Sequence, residues 1–342
     1  MSPQSLIALK GVPGSPYTRK MLGVLRYRRL PYRLILASHD AEGLPRPKVS
    51  LLPTFFFPGA DGALEAVTDS SPILRRLEAE YPDRRVRPAD PALAFLDSLL
   101  EDYGDEWLTK AMFHYRWRYD ADIKRASDIL PAWRGSQTPD AQLKAAGTMI
   151  AGRQIPRLRY VGSNAVTGPV IEASYKRFLA ALEAHLTLYP FLLGKRPGGG
   201  DFAAMGQLTQ LALFDPTPMA ITADSAPRVF AWTGAVDDLS GLEPKESDWF
   251  SADALPDTLK TILGEVGHFY APLLIANAKA VQAGAEQLET TIDGQPWVQQ
   301  PFPYQAKCLM WLREEYAALP AAARASVDAA LAGTGCEVLV GG

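Results

Sequence analysis

The chain has 342 residues, nearly half of them hydrophobic, and a formal net charge of −3. That supplies a sizeable core in one large or two ordinary domains, and the intermixed acidic and basic residues argue against a broad basic face for nucleic acid. No stretch reaches the roughly 18 apolar residues of a membrane span, and MSPQSLIALKG lacks the basic-then-apolar order of a signal peptide, so a cytoplasmic protein touching neither nucleic acid nor membrane is expected. In chain order, SLIAL (5–9) reads as a short strand, and GVPGSP punctuates it. Pro16 suits a first helical turn, and Met21, Leu22, Val24 and Leu25 mark the apolar face of the helix that follows. PYRLILA (31–37) is a second strand, succeeded by the charged loop SHDAEGLPRPKVS. TFFFP (54–58) and ALEAV (63–67) read as a hairpin closed at ADG (60–62), since Asp-Gly suits a type I′ turn. A further helix starts and is capped at Ser70 or Ser71, and stops at Pro82.

Strand, helix, strand, loop, strand, strand, helix makes a small α/β unit over residues 1–82, and residues 83–91 form a linker rich in proline and charge. The rest reads mostly helical: 95–119 as one long helix or a kinked pair, then 175–194, 201–214, 227–241 and 254–284. Cys308 and Cys336 form no CxxC pair and read as reduced interior cysteines. His39, His114, His185 and His268 are scattered, and no dedicated metal site is expected.

The arrangement resembles the glutathione transferase superfamily on three local patterns. SPYTRK (15–20) is similar to the Ser/Cys-Pro-Phe/Tyr head of that family's first helix. Leu52-Pro53 resembles the pair before its third strand, and Asp69-Ser70 its Glu/Asp-Ser pair. The resemblance covers residues 5 to about 240. It implies an α/β plus all-α fold: a thioredoxin-like domain (1–82), an all-helical substrate domain (92–241) and, beyond an ordinary transferase, an extension (242–342) packed on the helices. FLLGKRPGGGDFAAMGQL (191–208) is similar to the family's N-capping box, but Gly198 stands where Ser or Thr is usual. A reciprocal side-chain box is therefore excluded, and Asp201 is left to accept local backbone N–H groups.

The same resemblance implies glutathione as co-substrate, a homodimer, and a small hydrophobic electrophile as the second ligand. Glutathione needs donors for its carboxylates, backbone partners for its central peptide, and a group that favours thiolate. A cis Pro53 would leave the N–H and C=O of Leu52 open to an extended peptide. Asp69 would pair with the γ-glutamyl ammonium and Ser70 would donate to the carboxylate, beside the positive end of a helix. His39, Arg46 and Lys48 lie in the loop that would hold the glycyl carboxylate. Ser15 is either a helix cap or the hydroxyl that favours thiolate, with Tyr17 the rival donor. On the helical side Tyr103, Trp107, Phe113, His114, Arg116 and Trp117 come from the first long helix; Tyr103, Trp107 and His114 approach one face, either as substrate wall or as a core stripe, and Arg116 either binds an acidic substrate or pairs with Asp102 or Asp120. In the extension, Trp297, Phe302, Tyr304 and Trp311 either pack it down or cover the cleft. Two functions follow: an enzyme that activates glutathione's thiol, or a transferase-like binding or structural protein without turnover.

Overall fold

The computed structural model describes residues 6–36, 43–59 and 62–341. The first unit runs β1 (Ile7–Gly11), α1 (Pro16–Tyr27), β2 (Tyr32–Leu36), β3 (Thr54–Pro58), β4 (Leu64–Thr68) and α2 (Ser70–Glu80). The sheet order is β2-β1-β3-β4, with β1 parallel to β2 and antiparallel to β3, and β3 antiparallel to β4. β3 is central, which explains its unbroken apolar run: Phe55, Phe56 and Phe57 are all buried. Leu9 and Phe55 from the sheet meet Met21 and Leu25 from α1 and Leu77 from α2 in one small core. This is the thioredoxin-like unit expected from the sequence. Of the expected ADG turn, Ala60 and Asp61 lie outside the described residues, and Gly62 has φ 80°.

Helices follow: α3 (Pro91–Tyr103), α4 (Thr109–Arg118), α5 (Asp120–Ala132), α6 (Asp140–Gln154), α7 (Gly168–His185), α8 (Gly199–Leu211), α9 (Pro216–Ser225) and α10 (Pro227–Val236). α3 and α4 are one continuous helix joined through a π-helical turn, Gly104–Leu108. The last hundred residues add α11 (Asp257–Glu265), a second π turn, α12 (Ala271–Gln282), β5 (Leu288–Ile292), β6 (Gln295–Gln299), α13 (Pro303–Ala317), α14 (Ala321–Leu331) and α15 (Glu337–Val340). The β5–β6 hairpin was not among the expected elements. Its turn is Asp293-Gly294, both at positive φ (54° and 67°), the conformation a type I′ turn requires.

α8 is buried along its whole length and forms the axis of the helical half. It packs on α1 at van der Waals distance because Gly206 lies against the first turn of α1. A Cβ there would stand 2.6 Å from the carbonyl oxygen of Pro16. The head of α8 is capped from two directions. Asp201 accepts from the N–H groups of Gly198 (2.8 Å) and Leu192 (2.9 Å), as the sequence led us to expect. Asp97, from α3, accepts from Gly199 and Gly200 at 3.0 Å each. A Cβ at position 198 would meet Asp97 Oδ1 at 2.3 Å, so the serine or threonine of the usual box is replaced by a carboxylate from another helix. Trp107, Phe178, Met205, Phe269 and Leu274 share one core with Trp297 and Leu331, so residues beyond 242 are built into the same apolar interior.

Candidate functional site

Ser15 caps α1: its Oγ accepts from the N–H of Thr18 at 3.2 Å. The same hydroxyl donates, over 3.4 Å, to the carbonyl oxygen of Leu52. The Leu52-Pro53 peptide is cis. The loop carrying Ser15 is held from the helical side, where the Arg116 guanidinium donates to Gly14 O (3.1 Å) and Gln210 Nε2 to Pro13 O (3.1 Å).

α2 begins at Ser70, but its cap is Asp69, not a serine. Asp69 Oδ1 accepts from Ser71 N–H at 3.4 Å, and Asp69 sits at φ 83°, a strained value for a residue with a side chain. Ser70 is buried, and its Oγ accepts from Lys20 Nζ at 3.4 Å. Lys20, fully buried on α1, also donates to Glu101 Oε1 (2.6 Å) and Asp105 Oδ2 (2.5 Å) across the junction of the two units. Burial works against the ammonium, but Asp105 and Glu101 outweigh it and hold its pKa above the ordinary lysine value.

These elements bound a cleft of about 330 Å³. Tyr17, Leu52, Pro53, Asp69 and Ser70 line one side. Asp102, Asp105, Glu106, Lys110 and Phe113 form the helical wall, and the extension adds Phe302, Tyr304 and Gln305. Tyr304 donates its hydroxyl to Asp69 Oδ2 at 2.7 Å, and Gln305 Nε2 donates to Glu106 Oε2 at 3.1 Å. The Phe302 backbone is fixed by the Asn277 side-chain amide: its N–H donates to Asn277 Oδ1 (2.7 Å) and its carbonyl oxygen accepts from Asn277 Nδ2 (2.9 Å). Trp297 packs in the core against Trp107, with ring centroids 5.6 Å apart, and Trp311 meets the edge of Tyr304. The extension therefore both packs and covers. A wider, open groove of about 730 Å³ between α12 and β5 lies away from the Ser15–Asp69 edge.

The four helical residues expected at the substrate wall do not line this cleft. Tyr103 is a core residue between Phe178 and Tyr270. Trp107 donates to Ser174 Oγ and stacks among Phe269, Tyr270 and Trp297. His114 is 1% exposed, bonded to Ser163 and Glu172, and burial holds its pKa below the usual imidazole value. Arg116 pairs with Asp215 at 2.9 Å, not with Asp102 or Asp120, and its role is to hold the loop before Ser15. Tyr17 does line the cleft, with its hydroxyl donated to the carbonyl of Asp105 at 2.8 Å. Ser15 adjoins the cleft through Leu52 without lining it. Arg46 and Lys48 are exposed and off the cleft, and His39 lies outside the described residues. Among the described residues no group of three or more metal-ligating side chains converges.

The carboxylates of the helical wall were missed as site residues. Asp105 and Glu106 belong to the π turn, a distortion that recurs at functional sites. Burial pushes Asp102 up to about 7 and Asp105 up to about 6. It also pushes Glu106 well above the usual carboxylate range, with Asp102 adding to it. Burial lowers Lys110 to about 8. Arg157, exposed at the cleft's rim, was likewise not anticipated.

Residues 9–85 match the family model of the glutathione S-transferase N-terminal domain, which places the thioredoxin-like unit in that superfamily. Among solved structures, the chain is similar to a glutathione S-transferase from Methylobacterium radiotolerans in complex with glutathione sulfonate. The identity is 21%, covering 74% of this chain and 99% of that one, with a TM-score of 0.43. It is also similar to a glutathione transferase from Burkholderia graminis with two glutathione molecules bound per subunit (15% identity, 77% and 89% covered, TM-score 0.43). A third is a β-etherase from a Sphingobium species (16% identity, 68% and 95% covered, TM-score 0.42). No curated protein matches the chain.

Proposed function

We propose that the cleft binds glutathione and favours its thiolate for attack on a small electrophile held against the helical wall. The observation that carries this reading is the convergence, along one edge, of the Ser15 hydroxyl, the Leu52-Pro53 peptide and the Asp69-Ser70 head of α2. Glutathione's central peptide would pair with the Leu52 backbone. Its γ-glutamyl ammonium would meet Asp69, and its carboxylate would take the Ser70 hydroxyl with help from the first-turn N–H groups of α2. The thiol would then lie at the head of α1. A free thiol near pKa 8.5 is mostly protonated at pH 7, and each unit of depression stabilises thiolate by about 1.4 kcal/mol. Ser15 donating to sulfur, with the positive helix end behind it, works in that direction. Ser15 keeps its own proton in such a step, so no histidine is needed.

Calorimetry with reduced glutathione tests this. A saturable site weakened by Asp69→Ala supports it, and no binding at millimolar ligand overturns it. A second reading, a transferase-like protein that binds without turnover, draws on the Tyr304 hydroxyl that holds Asp69 and on a cleft near the lower size limit for ligand pockets (about 300 Å³). We further propose a cytoplasmic homodimer on the family resemblance, with Val49 and Leu51, each more than half exposed, available on the loop before β3. Sedimentation at several concentrations would decide; a strict monomer overturns it.

A further inference from the structure

We infer that the ligand seated against the helical wall is a small apolar molecule bearing a protonated amine. This deepens the reading of the cleft as the functional site but does not require glutathione to occupy the other edge. The wall is rich in acceptors and poor in donors. Asp102, in the last turn of α3, and Glu106, in the π turn that follows, both line this wall. Both receive only neutral donors: Tyr270 hydroxyl to Asp102 Oδ2 at 2.7 Å, and Gln305 Nε2 to Glu106 Oε2 at 3.1 Å. Neither is in direct ion-pair contact with a lysine or arginine among the described residues; Lys110 is near enough to favour the Glu106 carboxylate, but burial outweighs it. Two further acceptors on cleft-lining residues have no hydrogen-bond partner among the described residues: Asp105 Oδ1 and Gln305 Oε1. Those residues are 5% and 2% exposed, so bulk water does not serve them.

The bases nearby do not answer this demand. Lys20 is bound beneath the wall to Glu101 and Asp105. Lys110 donates to Val161 O at 3.2 Å and Gln299 Oε1 at 3.4 Å. Arg157 stays exposed at the rim, over the ring of Tyr160. An ammonium brings several donors and a positive charge that draws the burial-raised Asp102 and Glu106 carboxyls toward their ionised forms, whereas a carboxylate ligand would press them further toward the protonated form and gain no ion pair. The body of the ligand is set by Phe113, Val161 and Phe302 on the same walls, and the cleft's volume limits it to about one ring and a short chain.

The test is calorimetry on the full chain without glutathione, using 3-phenylpropylamine, 3-phenylpropanol and 3-phenylpropanoate. These share one body and differ in the charge of the head group. The amine is expected to bind at least about tenfold tighter than the alcohol, and the carboxylate weakest. The isosteric variants Glu106→Gln and Asp102→Asn, checked for a retained fold by circular dichroism, should each reduce the amine's advantage to within about threefold while sparing the alcohol. Three results overturn the inference: alcohol or carboxylate binding as well as the amine, an amine preference that survives both substitutions, or no binding of any of the three. A failed glutathione titration beside an intact amine preference would overturn the glutathione reading and leave this one standing.

Discussion

The hydroxyl of Tyr304 donates to Oδ2 of Asp69 across 2.7 Å, joining two residues separated by 235 positions. Under the proposed function this contact stands where glutathione's ammonium would bind. Removing it without changing the ring should free the carboxylate. Tyr304→Phe is expected to tighten glutathione binding by about tenfold or more, because a hydrogen bond to a charged group contributes about 1.5–3 kcal/mol and would no longer have to be displaced. Titration of both proteins measures this. Weaker binding by the variant would mean that the hydroxyl supports the ligand.

Ser15 carries two separable roles. As a cap its loss should cost about 0.5–2 kcal/mol. As a thiol donor its loss should also raise the pKa of bound glutathione, followed through thiolate absorbance against pH. Ser15→Ala is expected to do both, and Tyr17→Phe, whose hydroxyl is held by the Asp105 carbonyl, to leave the titration unchanged. A lowered melting temperature with an unmoved titration would leave Ser15 a cap alone.

Arg116 and Asp215 form a buried pair, 4% and 0% exposed. Arg116→Met strands the carboxylate and should cost about 3–5 kcal/mol, with much of the loss recovered when Asp215→Leu is added. Because Arg116 also holds Gly14, the double variant should remain weak for glutathione even where its stability returns. Denaturant melts set beside binding isotherms separate the two effects. A double variant that binds like wild type would remove Arg116 from any positioning role.

Asp102 supplies a pH dependence opposite to that of a salt-bridged acid. Its carboxyl is raised to about 7, mainly by burial, whereas the unfolded chain titrates near about 3.9. Between those values the folded protein keeps a proton that the unfolded chain releases, so stability falls as pH rises from about 4 to about 7 and is level above. Asp102→Asn lacks this decline. Its stability relative to wild type should improve across the window by up to about 1.4 kcal/mol per pH unit. Denaturation at pH 5, 6 and 7 checks it, and parallel curves would contradict it.

The local features were legible because they are written in neighbouring residues. Ser15-Pro16 at the head of a helix, Leu52-Pro53 before a strand and Asp69-Ser70 at the next helix stand within short segments with their own turn chemistry. The helical wall was not legible, for two reasons. Tyr103, Trp107 and His114 belong to a helix buried on most sides, so apolar periodicity could not say which face meets the cleft. The π turn at Gly104–Leu108 then breaks the 3.6-residue spacing on which such a reading depends. The β5–β6 hairpin had a readable signal in Asp293-Gly294, the same dipeptide that marked the earlier hairpin at 61–62. Tyr304 was legible as an aromatic that packs or covers, but its bond to Asp69 was not, since nothing near it in sequence points there.

The extension's share in the cleft also fixes when the site can exist. A chain is made from its N-terminus, and domains generally fold as they emerge. The thioredoxin-like unit and its Asp69-Ser70 edge are therefore complete long before Phe302, Tyr304 and Gln305 are synthesised, and until then the cleft is open on that side. Its closure waits on the synthesis of those residues. Chains ending short of Phe302 should present a gutter rather than a pocket: accessible to many ligands, selective for few, and unable to discriminate by charge at the head group as the finished cleft would.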